Sequence, residues 1–325
     1  KREIAVFDGI QEVNALHVVP ESPQSILPAQ IIQKRLPQVP VRGMPDIMAE
    51  SGAILVETGT TNITTVDDYR RAISGGTAMI FSCHRSNFTQ EGFTESPSLR
   101  DLASLKGEGM IFVRDLGSGN LIPDRRLPQN FEPTVRSEIE QGPDLVCFSG
   151  DKLLGGCQAG IIVGAKDLVG RLRKNPLMRM LRVDKITYYI LQETLLRHVN
   201  GEDDSIALWR IMHQDKKDIS GRINRFLRLI ANPEGKKMLK KTATMSTIGG
   251  GAVPGSRMES LGLWVDIPGM SADDIYAALA EADVPLIGII MEGRFTIDFS
   301  AILDSDVAAA AKAVNGLIAL HGGSR

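Results

Sequence analysis

The chain has 325 residues and a mass of 35.3 kDa, enough for two packed domains of ordinary size or for one large domain. Hydrophobic residues make up 43% and charged residues 23%, a composition that excludes a disordered chain, a collagen-like chain and a coiled-coil rod. The net charge of −2 gives no overall basic field for nucleic acid, although it allows a local basic face.

The N-terminal half of the sequence predicts an α/β fold. Residues 1–45 are rich in proline and predict a loop-rich or partly extended segment. From about residue 52, short apolar strands alternate with helices, which predicts a mainly parallel sheet with helices on both faces. The predicted strands cover 53–57, 77–83, 109–114, 145–148 and 159–163, and the predicted helices cover 67–73, 99–105 and 134–141.

The pattern changes in the second half of the chain. Helices are predicted over 165–174, 185–199 and 215–231, followed by strands over 261–267 and 295–299 and helices over 271–282 and 305–320. The late segments indicate a smaller α+β domain, and the polar run VNGEDDS (199–205) suits a linker. We therefore predict a large domain over residues 1–200 and a smaller domain over residues 201–325.

The cysteines and the hydropathy indicate where the protein works. Three cysteines cannot all pair within the chain and none lies in a CxxC motif, so we expect a reduced, cytoplasmic protein without a metal site. No apolar run approaches the roughly 18 residues of a membrane span, and Lys-Arg-Glu-Ile at the start is not a signal peptide. The chain also lacks an initiator methionine, so we expect it to be trimmed or incomplete.

Three polar runs follow predicted strands, where ligands collect in α/β sheets. They are CHRSNF (83–88) with His84, RDLGSGN (114–120) with Asp115, and FSGDKLLGG (148–156) with Lys152. Glycine permits close approach of the main chain to a ligand, and the run around Lys152 ends in Gly155 and Gly156.

These runs supply the protein side of a pyridoxal phosphate site. Lys152 provides an amine for a Schiff base, Asp115 a carboxylate for the pyridinium nitrogen, and Ser149 with nearby amides a cup for the phosphate. His84 is a candidate for covering the cofactor face. Simpler interpretations also fit, because a lysine after a strand is often a surface residue, an aspartate at a strand end often caps a helix, and a histidine is often a satisfied polar side chain.

Several sequence motifs resemble those of the bacterial selenocysteine synthases, or L-seryl-tRNA(Sec) selenium transferases. The resemblance extends from about Pro45 to Leu303, and the motifs occur in the same order. The matching runs are VETGTTN (56–62), SNF…GFTE (86–95), DLGSG (115–119), FSGDKLLGG with QAGIIVG (158–164), NPLMRMLRVDK (175–185), GGGAVP (249–254) and VPLIGIIMEGRFTIDF (284–299).

The resemblance implies a fold-type-I pyridoxal phosphate enzyme with Lys152 as the aldimine lysine and Asp115 as the ring-nitrogen partner. It implies conversion of seryl-tRNA(Sec) to selenocysteyl-tRNA through an aminoacrylyl intermediate, with selenophosphate as the selenium donor. Asp151 matches an active-site position, and Arg179 and Arg182 match two arginines that hold the donor. A homo-oligomer built from dimers is also implied. Read without the family, the two arginines also suit a solvated basic face.

The sequence departs from the family in ways that leave other functions open. Cys157, Ile63 and Asn120 replace a usual proline, arginine and serine. Residues 1–44 do not resemble the family's small tRNA-contacting N-terminal domain, and its asparagine- and alanine-rich phosphate loop is not found. The alternatives are a related pyridoxal phosphate lyase or aminotransferase-like enzyme acting on a small amino acid or amino sugar, and a non-catalytic truncated paralogue.

Overall fold

The computed structural model describes residues 3–7, 48, 51–86, 88–123, 132–248, 252–253 and 255–321, with residues 3–7 described by their backbone alone. Of the proline-rich segment predicted over 1–45, only Glu3–Phe7 is described, as a strand, and the remainder lies outside the described residues. The chain divides into two compact units, and one point of division lies between Trp209 and Arg210. The domain boundary at residue 200 stays a prediction.

The first unit is built on a six-stranded sheet within the described residues, in the order β2-β1-β3-β4-β5-β6. The strands are β1 (Glu3–Phe7), β2 (Ile54–Thr58), β3 (Thr77–Cys83), β4 (Ile111–Gly117), β5 (Leu145–Ser149) and β6 (Gly160–Gly164). Neighbouring strands run parallel except β6, which is antiparallel to β5. The carboxyl ends of β3, β4 and β5 therefore meet at one edge of the sheet.

Helices of the first unit begin and end at residues suited to capping. Asp184 accepts hydrogen bonds from the amides of Ile186 and Thr187 at the start of α6, and Gly201 ends that helix with a φ of 70°. The helices are α1 (Val66–Ala72), α2 (Leu99–Ser104), α3 (Val135–Ile139), α4 (Lys166–Lys174), α5 (Met178–Leu181), α6 (Lys185–Asn200) and α7 (Ala207–His213), and the division between the units falls within α7.

The core of the first unit lies along its sheet. One buried cluster joins β4, β5 and α6 through Leu116, Phe148 and Leu191. A second joins α1, α2 and β4 through Tyr69, Leu102 and Phe112. Apolar burial on this scale is the main force that fixes the strands in place.

The second unit pairs a four-stranded sheet with helices, in the strand order β7-β8-β10-β9. Its strands are β7 (Leu239–Thr247), β8 (Arg257–Val265), β9 (Ile289–Met291) and β10 (Arg294–Asp298), all antiparallel to their neighbours. Its helices are α8 (Lys216–Leu229), α9 (Pro233–Lys237), α10 (Ala272–Ala280) and α11 (Val307–His321). A buried cluster joins α8, β10 and α11 through Phe226, Phe295 and Val314.

The observed elements confirm the predicted class, an α/β unit with a mainly parallel sheet followed by a smaller α+β part. All fifteen predicted strands and helices have a counterpart, with bounds that differ by a few residues at most. The sequence missed β1, β7, β9, α7 and α9. Within the described parts of the chain, none of the helices combines the length and apolar character needed to cross a bilayer.

Candidate functional site

Asp115 lies on β4 at the edge where the parallel strands end. It is paired with Cys83 on β3 and with Cys147 on β5. Paired residues of neighbouring strands point to the same face of a sheet, so the Asp115 carboxylate lies on the same face as the thiols of Cys83 and Cys147. The strand register thus sets the position of the predicted acidic residue.

Lys152 lies in the turn that follows β5, and its amine approaches the end of β4. A Cβ built on Gly117 would lie 3.6 Å from Lys152 Nζ and 3.2 Å from Ser86 Oγ. Gly117 has a φ of +72°, which favours glycine, and its missing side chain leaves a small space between the lysine amine and the serine hydroxyl. The structure therefore brings Lys152 to the strand that carries Asp115.

Charges around Asp115 oppose the effect of its burial. Burial raises the pKa of the Asp115 carboxyl above its usual range, while the Lys152 charge, the Gly117 amide, and the charges of Arg114 and His84 lower it. Burial, with a contribution from the negative charge of Asp115, raises the pKa of the Cys147 thiol to about 12. At neutral pH Cys147 is therefore a neutral thiol, on the same face of the sheet as the Asp115 carboxyl, whose pKa nearby cations lower.

The turn around Lys152 is closed by main-chain hydrogen bonds. The amides of Gly155 and Gly156 donate to the carbonyls of Lys152 and Gly150 over 2.9 and 2.8 Å. Gly155 has a φ of +74°, and a Cβ there would lie 2.6 Å from Ile206 Cγ2. Glycine at position 155 therefore lets the turn pack closely against Ile206.

Polar side chains with unused bonding capacity lie beside this turn. Ser118 is fully buried, and its hydroxyl has no hydrogen-bond partner among the described residues. The Ser118 carbonyl accepts a hydrogen bond from the amide of Leu153 over 2.8 Å, so this serine contacts the residue next to Lys152. Ser149, the last residue of β5, is half-buried.

The ring of His84 lies in a network with Arg114 and Glu132. His84 Nδ1 lies 3.4 Å from Arg114 Nη2 and Nε2 lies 3.0 Å from Glu132 Oε1. The main-chain amide of His84 donates to the Asp115 carbonyl over 2.7 Å, which ties β3 to β4 at the site.

The remaining predicted residues lie on the surface. Asp151 is exposed beside Lys152. Arg179 lies on α5 and Arg182 directly follows that helix, and both are exposed. The structure thus brings Lys152, Asp115 and His84 together, and Arg179 and Arg182 lie exposed on and beside α5.

Sequence reasoning missed two side chains that hold the turn after Lys152. Trp209 Nε1 donates to the carbonyl of Leu153 over 2.8 Å, and His198 Nε2 lies 2.9 Å from the carbonyl of Leu154. They lie 56 and 44 positions from their partners, so no local motif could have connected them. Within the described residues, no group of three or more histidine, cysteine or acidic side chains is arranged to hold a metal ion.

Comparison with known proteins gives a consistent family. A model of the L-seryl-tRNA selenium transferase family matches residues 41–303. The curated L-seryl-tRNA(Sec) selenium transferase of Carboxydothermus hydrogenoformans is 38% identical over 266 residues, covering 81% of this chain and 57% of the relative. That of Geotalea uraniireducens is 39% identical over 279 residues, covering 84% and 60%. The chain spans less than two thirds of the length of these relatives.

A solved structure shares the fold at low sequence identity. The structure of D-glucosaminate-6-phosphate ammonia-lyase matches with a TM-score of 0.55 and 15% identity, covering 86% of this chain and 68% of that one. At this identity the likeness concerns the fold alone. It agrees with the fold-type-I architecture predicted from the sequence.

Proposed function

This chain belongs to the L-seryl-tRNA selenium transferase family, and from that premise we propose that it uses pyridoxal 5′-phosphate to convert seryl-tRNA(Sec) to selenocysteyl-tRNA(Sec). Residues 1–200 are proposed as the cofactor-binding domain. The observation that carries the proposal is the approach of the Lys152 amine to Gly117, two residues beyond Asp115 on the same strand.

The residues at this edge fit the proposed cofactor. The space that a Cβ would fill at Gly117 borders both the Lys152 amine and the Ser86 hydroxyl. The buried Ser118 hydroxyl lacks a partner among the described residues and offers a further donor. A primary amine, a carboxylate and hydroxyl donors are the groups that an aldehyde, a ring nitrogen and a phosphate require.

Each residue has a proposed role in binding or in moving a proton. Lys152 would hold the cofactor through its amine, and the same amine would accept the Cα proton of the seryl group. The bound cofactor supplies an electron sink for the carbon that loses this proton. Asp115 would hold a proton at the ring nitrogen, and Ser149 would bind the phosphate. Gly155 and Gly156 would support this cofactor site by shaping the turn, since their amides donate to Lys152 O and Gly150 O.

Two further predicted residues belong to the same proposal. The exposed Asp151 next to Lys152 is proposed as a catalytic carboxylate at the mouth of the site. His84 is proposed to cover the cofactor, and its contacts with Arg114 and Glu132 would fix the ring for that role.

The selenium donor is proposed to bind Arg179 and Arg182. Both side chains are exposed, and two guanidinium groups can bind a phosphate-like group through paired, charge-assisted hydrogen bonds. Selenophosphate carries such a group. The basic neighbours Lys174 and Lys185 would add to the attraction of this segment for an anion.

We also propose that the protein is a homo-oligomer built from dimers through the surface of α5 and α6. Met180, Ile186 and Val199 are 79%, 72% and 81% exposed, which is unusual for large apolar side chains. Clustered apolar exposure of this kind marks an interaction surface. Other exposed apolar side chains on the same segment are Leu177, Leu181, Tyr188, Tyr189, Leu195 and Leu196.

A cytoplasmic location is part of the proposal. All three cysteines lie in the described part of the chain and carry reduced thiols. Reduced thiols persist in the cytoplasm, where the thiol buffers prevent disulfide formation.

Reconstitution with pyridoxal 5′-phosphate tests the lysine assignment. We expect an absorption band from the covalently attached cofactor that Lys152→Ala abolishes. Lys166→Ala, at an exposed lysine of α4, should leave the band unchanged and serves as the matched control. A band that persists in Lys152→Ala would sink the assignment.

The substrate is tested separately, by comparing turnover of seryl-tRNA(Sec) with turnover of free serine and other small amino compounds. Selenophosphate-dependent turnover of the charged tRNA is the expected result. Turnover restricted to small amino compounds would instead favour the lyase or aminotransferase-like alternative. Cofactor binding with neither activity would contradict the transferase proposal.

A further inference from the structure

We propose that His198 and Trp209 are positioning residues that fix the main chain next to Lys152, so that the lysine amine is held at Gly117. The role of Lys152 in this inference rests on the proposed function. The hydrogen bonds from which we argue are formed within the chain and do not depend on that function.

Two consecutive carbonyl groups after Lys152 are held by two side chains. The indole Nε1 of Trp209 donates to Leu153 O over 2.8 Å, and His198 Nε2 lies 2.9 Å from Leu154 O. The amide of Leu153 donates to Ser118 O over 2.8 Å, so the same peptide segment is held from the side of β4 as well. Leu153 is therefore bonded through both its amide and its carbonyl, and Leu154 through its carbonyl.

These hydrogen bonds are shielded from water. Leu153, Leu154 and Trp209 are fully buried, and the side chain of His198 is 4% exposed. A buried carbonyl that loses its donor cannot gain a water molecule in exchange, so opening the turn carries the cost of an unsatisfied polar group. The turn is consequently harder to open than an exposed loop.

The contacts of its two ring nitrogens fix the orientation of His198. Leu154 O is only an acceptor, so Nε2 must carry a proton. Nδ1 lies 2.6 Å from Asp203 Oδ1, within hydrogen-bond distance. Asp203 thereby fixes the orientation of the ring.

The segment that carries Asp203 and Trp209 also packs against the turn. Ile206 occupies the space that a Cβ would take at Gly155, and the His198 and Trp209 rings meet edge to face at 6.3 Å. Arg197 Nη1 donates to Ser205 Oγ over 2.6 Å and ties this segment to α6. The lysine turn is thus enclosed by α6 and α7, elements that contribute no residue to the predicted cofactor site.

The consequence concerns the lysine. Its side chain leaves a main chain that is bonded on both sides, so fewer positions are open to the amine than in a mobile loop. Catalytic groups lose much of their efficiency when they are displaced by about 1 Å, which gives such bonding a function beyond stability. Trp209 and His198 would act through Lys152 and need not touch the cofactor.

Amide hydrogen exchange of the cofactor-free chain, followed by mass spectrometry of peptides within 148–157, tests the inference. Trp209→Phe removes the N–H donor and keeps an aromatic ring, so we expect exchange there to accelerate about five- to tenfold, the equivalent of one hydrogen bond. His198→Ala should act similarly. His198→Gln, whose amide can still donate to Leu154 O, should restore most of the protection.

Tyr69→Phe is the matched control, since Tyr69 is a buried aromatic residue in the cluster of α1, α2 and β4, in the same unit. It should leave exchange in peptides within 148–157 unchanged. A second measurement traps pyridoxal 5′-phosphate on the chain with borohydride. The rate of Lys152 modification should fall about fivefold in Trp209→Phe, which is the equivalent of one lost hydrogen bond. The rate should stay unchanged in Tyr69→Phe.

Two results would overturn the inference. One is exchange in peptides within 148–157 that stays within about twofold of the unaltered chain in both Trp209→Phe and His198→Ala, less than the weakest typical hydrogen bond would give. The other is an acceleration spread equally over all peptides, which would indicate a purely global effect. If Trp209→Phe does not fold, the comparison of His198→Ala with His198→Gln decides. Because exchange is measured without cofactor, failure of the proposed enzyme activity leaves this test intact.

Discussion

The turn after β5 and the surface segment of α5 and α6 differ in how far the protein itself holds their functional side chains. Lys152 sits in a turn whose neighbouring peptide groups bond to Ser118, Trp209 and His198. Arg179 and Arg182 are exposed, on and beside a helix of four residues. The difference teaches that the chain itself holds the main chain around Lys152, whereas it leaves the two arginines exposed.

The comparison predicts that substitutions at the turn, or at the end of β4 that the Lys152 amine approaches, cost stability, whereas those at the two arginines do not. The largest effect is expected for Gly117→Val. Its φ of +72° disfavours any side chain, and its Cβ would meet Ser86 Oγ at 3.2 Å. We expect the free energy of unfolding to fall by about 2–5 kcal/mol, measured by urea denaturation.

Gly170→Ala is the control for this prediction. Gly170 lies within α4 and a Cβ there would meet nothing within 4 Å, so alanine should stabilise the helix by up to about 1 kcal/mol. Equal destabilisation by the two substitutions would mean that the environment of Gly117 is not special.

An intermediate effect is expected from alkaline pH, through Cys147. Its thiol pKa is raised from 9.0 to about 12 in the folded chain, so the folded state holds more protons than the unfolded state between these values. The free energy of unfolding is therefore unaffected by this thiol below pH 9 and falls as pH rises through that window. The loss should reach roughly 1–3 kcal/mol by pH 11.

The measurement is urea denaturation at a series of pH values, with Cys147→Ser as the variant. This variant should show a flatter alkaline decline, while Cys157→Ser should keep the slope of the unaltered chain. Identical slopes in all three proteins would refute the role of Cys147 in the alkaline loss.

The smallest effect on stability is expected for the double variant Arg179→Ala/Arg182→Ala. Exposed side chains contribute little, so the free energy of unfolding should change by no more than about 0.5 kcal/mol. The KM for selenophosphate should nevertheless rise more than about tenfold, because charge-assisted hydrogen bonds are lost. Arg171→Ala/Arg173→Ala, at exposed positions of α4, should change neither quantity. A KM that is the same in both double variants would count against the donor site.

Much of the fold could be predicted from the sequence because hydrophobic periodicity is a local signal. The strand over residues 77–83 was predicted to the residue, and the helix over 185–199 ends one residue later in the structure. β9 was missed because three residues are too few for a pattern, and β7 because the run KKTATMST is only weakly apolar.

The site divides in the same way. The positions of Asp115 and Lys152 could be predicted because strand ends and glycine-flanked turns can be recognised in the sequence. The strand order then brings these two residues to the same edge of the sheet. The surroundings of His84 depend on Arg114 and Glu132, and the support of the turn depends on His198 and Trp209. Such contacts arise from tertiary packing, which no spacing within the chain encodes.

The central claim is that Lys152 attaches pyridoxal 5′-phosphate in the space beside Gly117 and Asp115. Borohydride reduction of the loaded chain, followed by digestion and mass spectrometry, identifies the modified lysine directly. The account predicts a single modified peptide that contains Lys152, with its yield strongly reduced in Asp115→Ala. Modification spread evenly over exposed lysines such as Lys166 and Lys185, with none preferred, would contradict it.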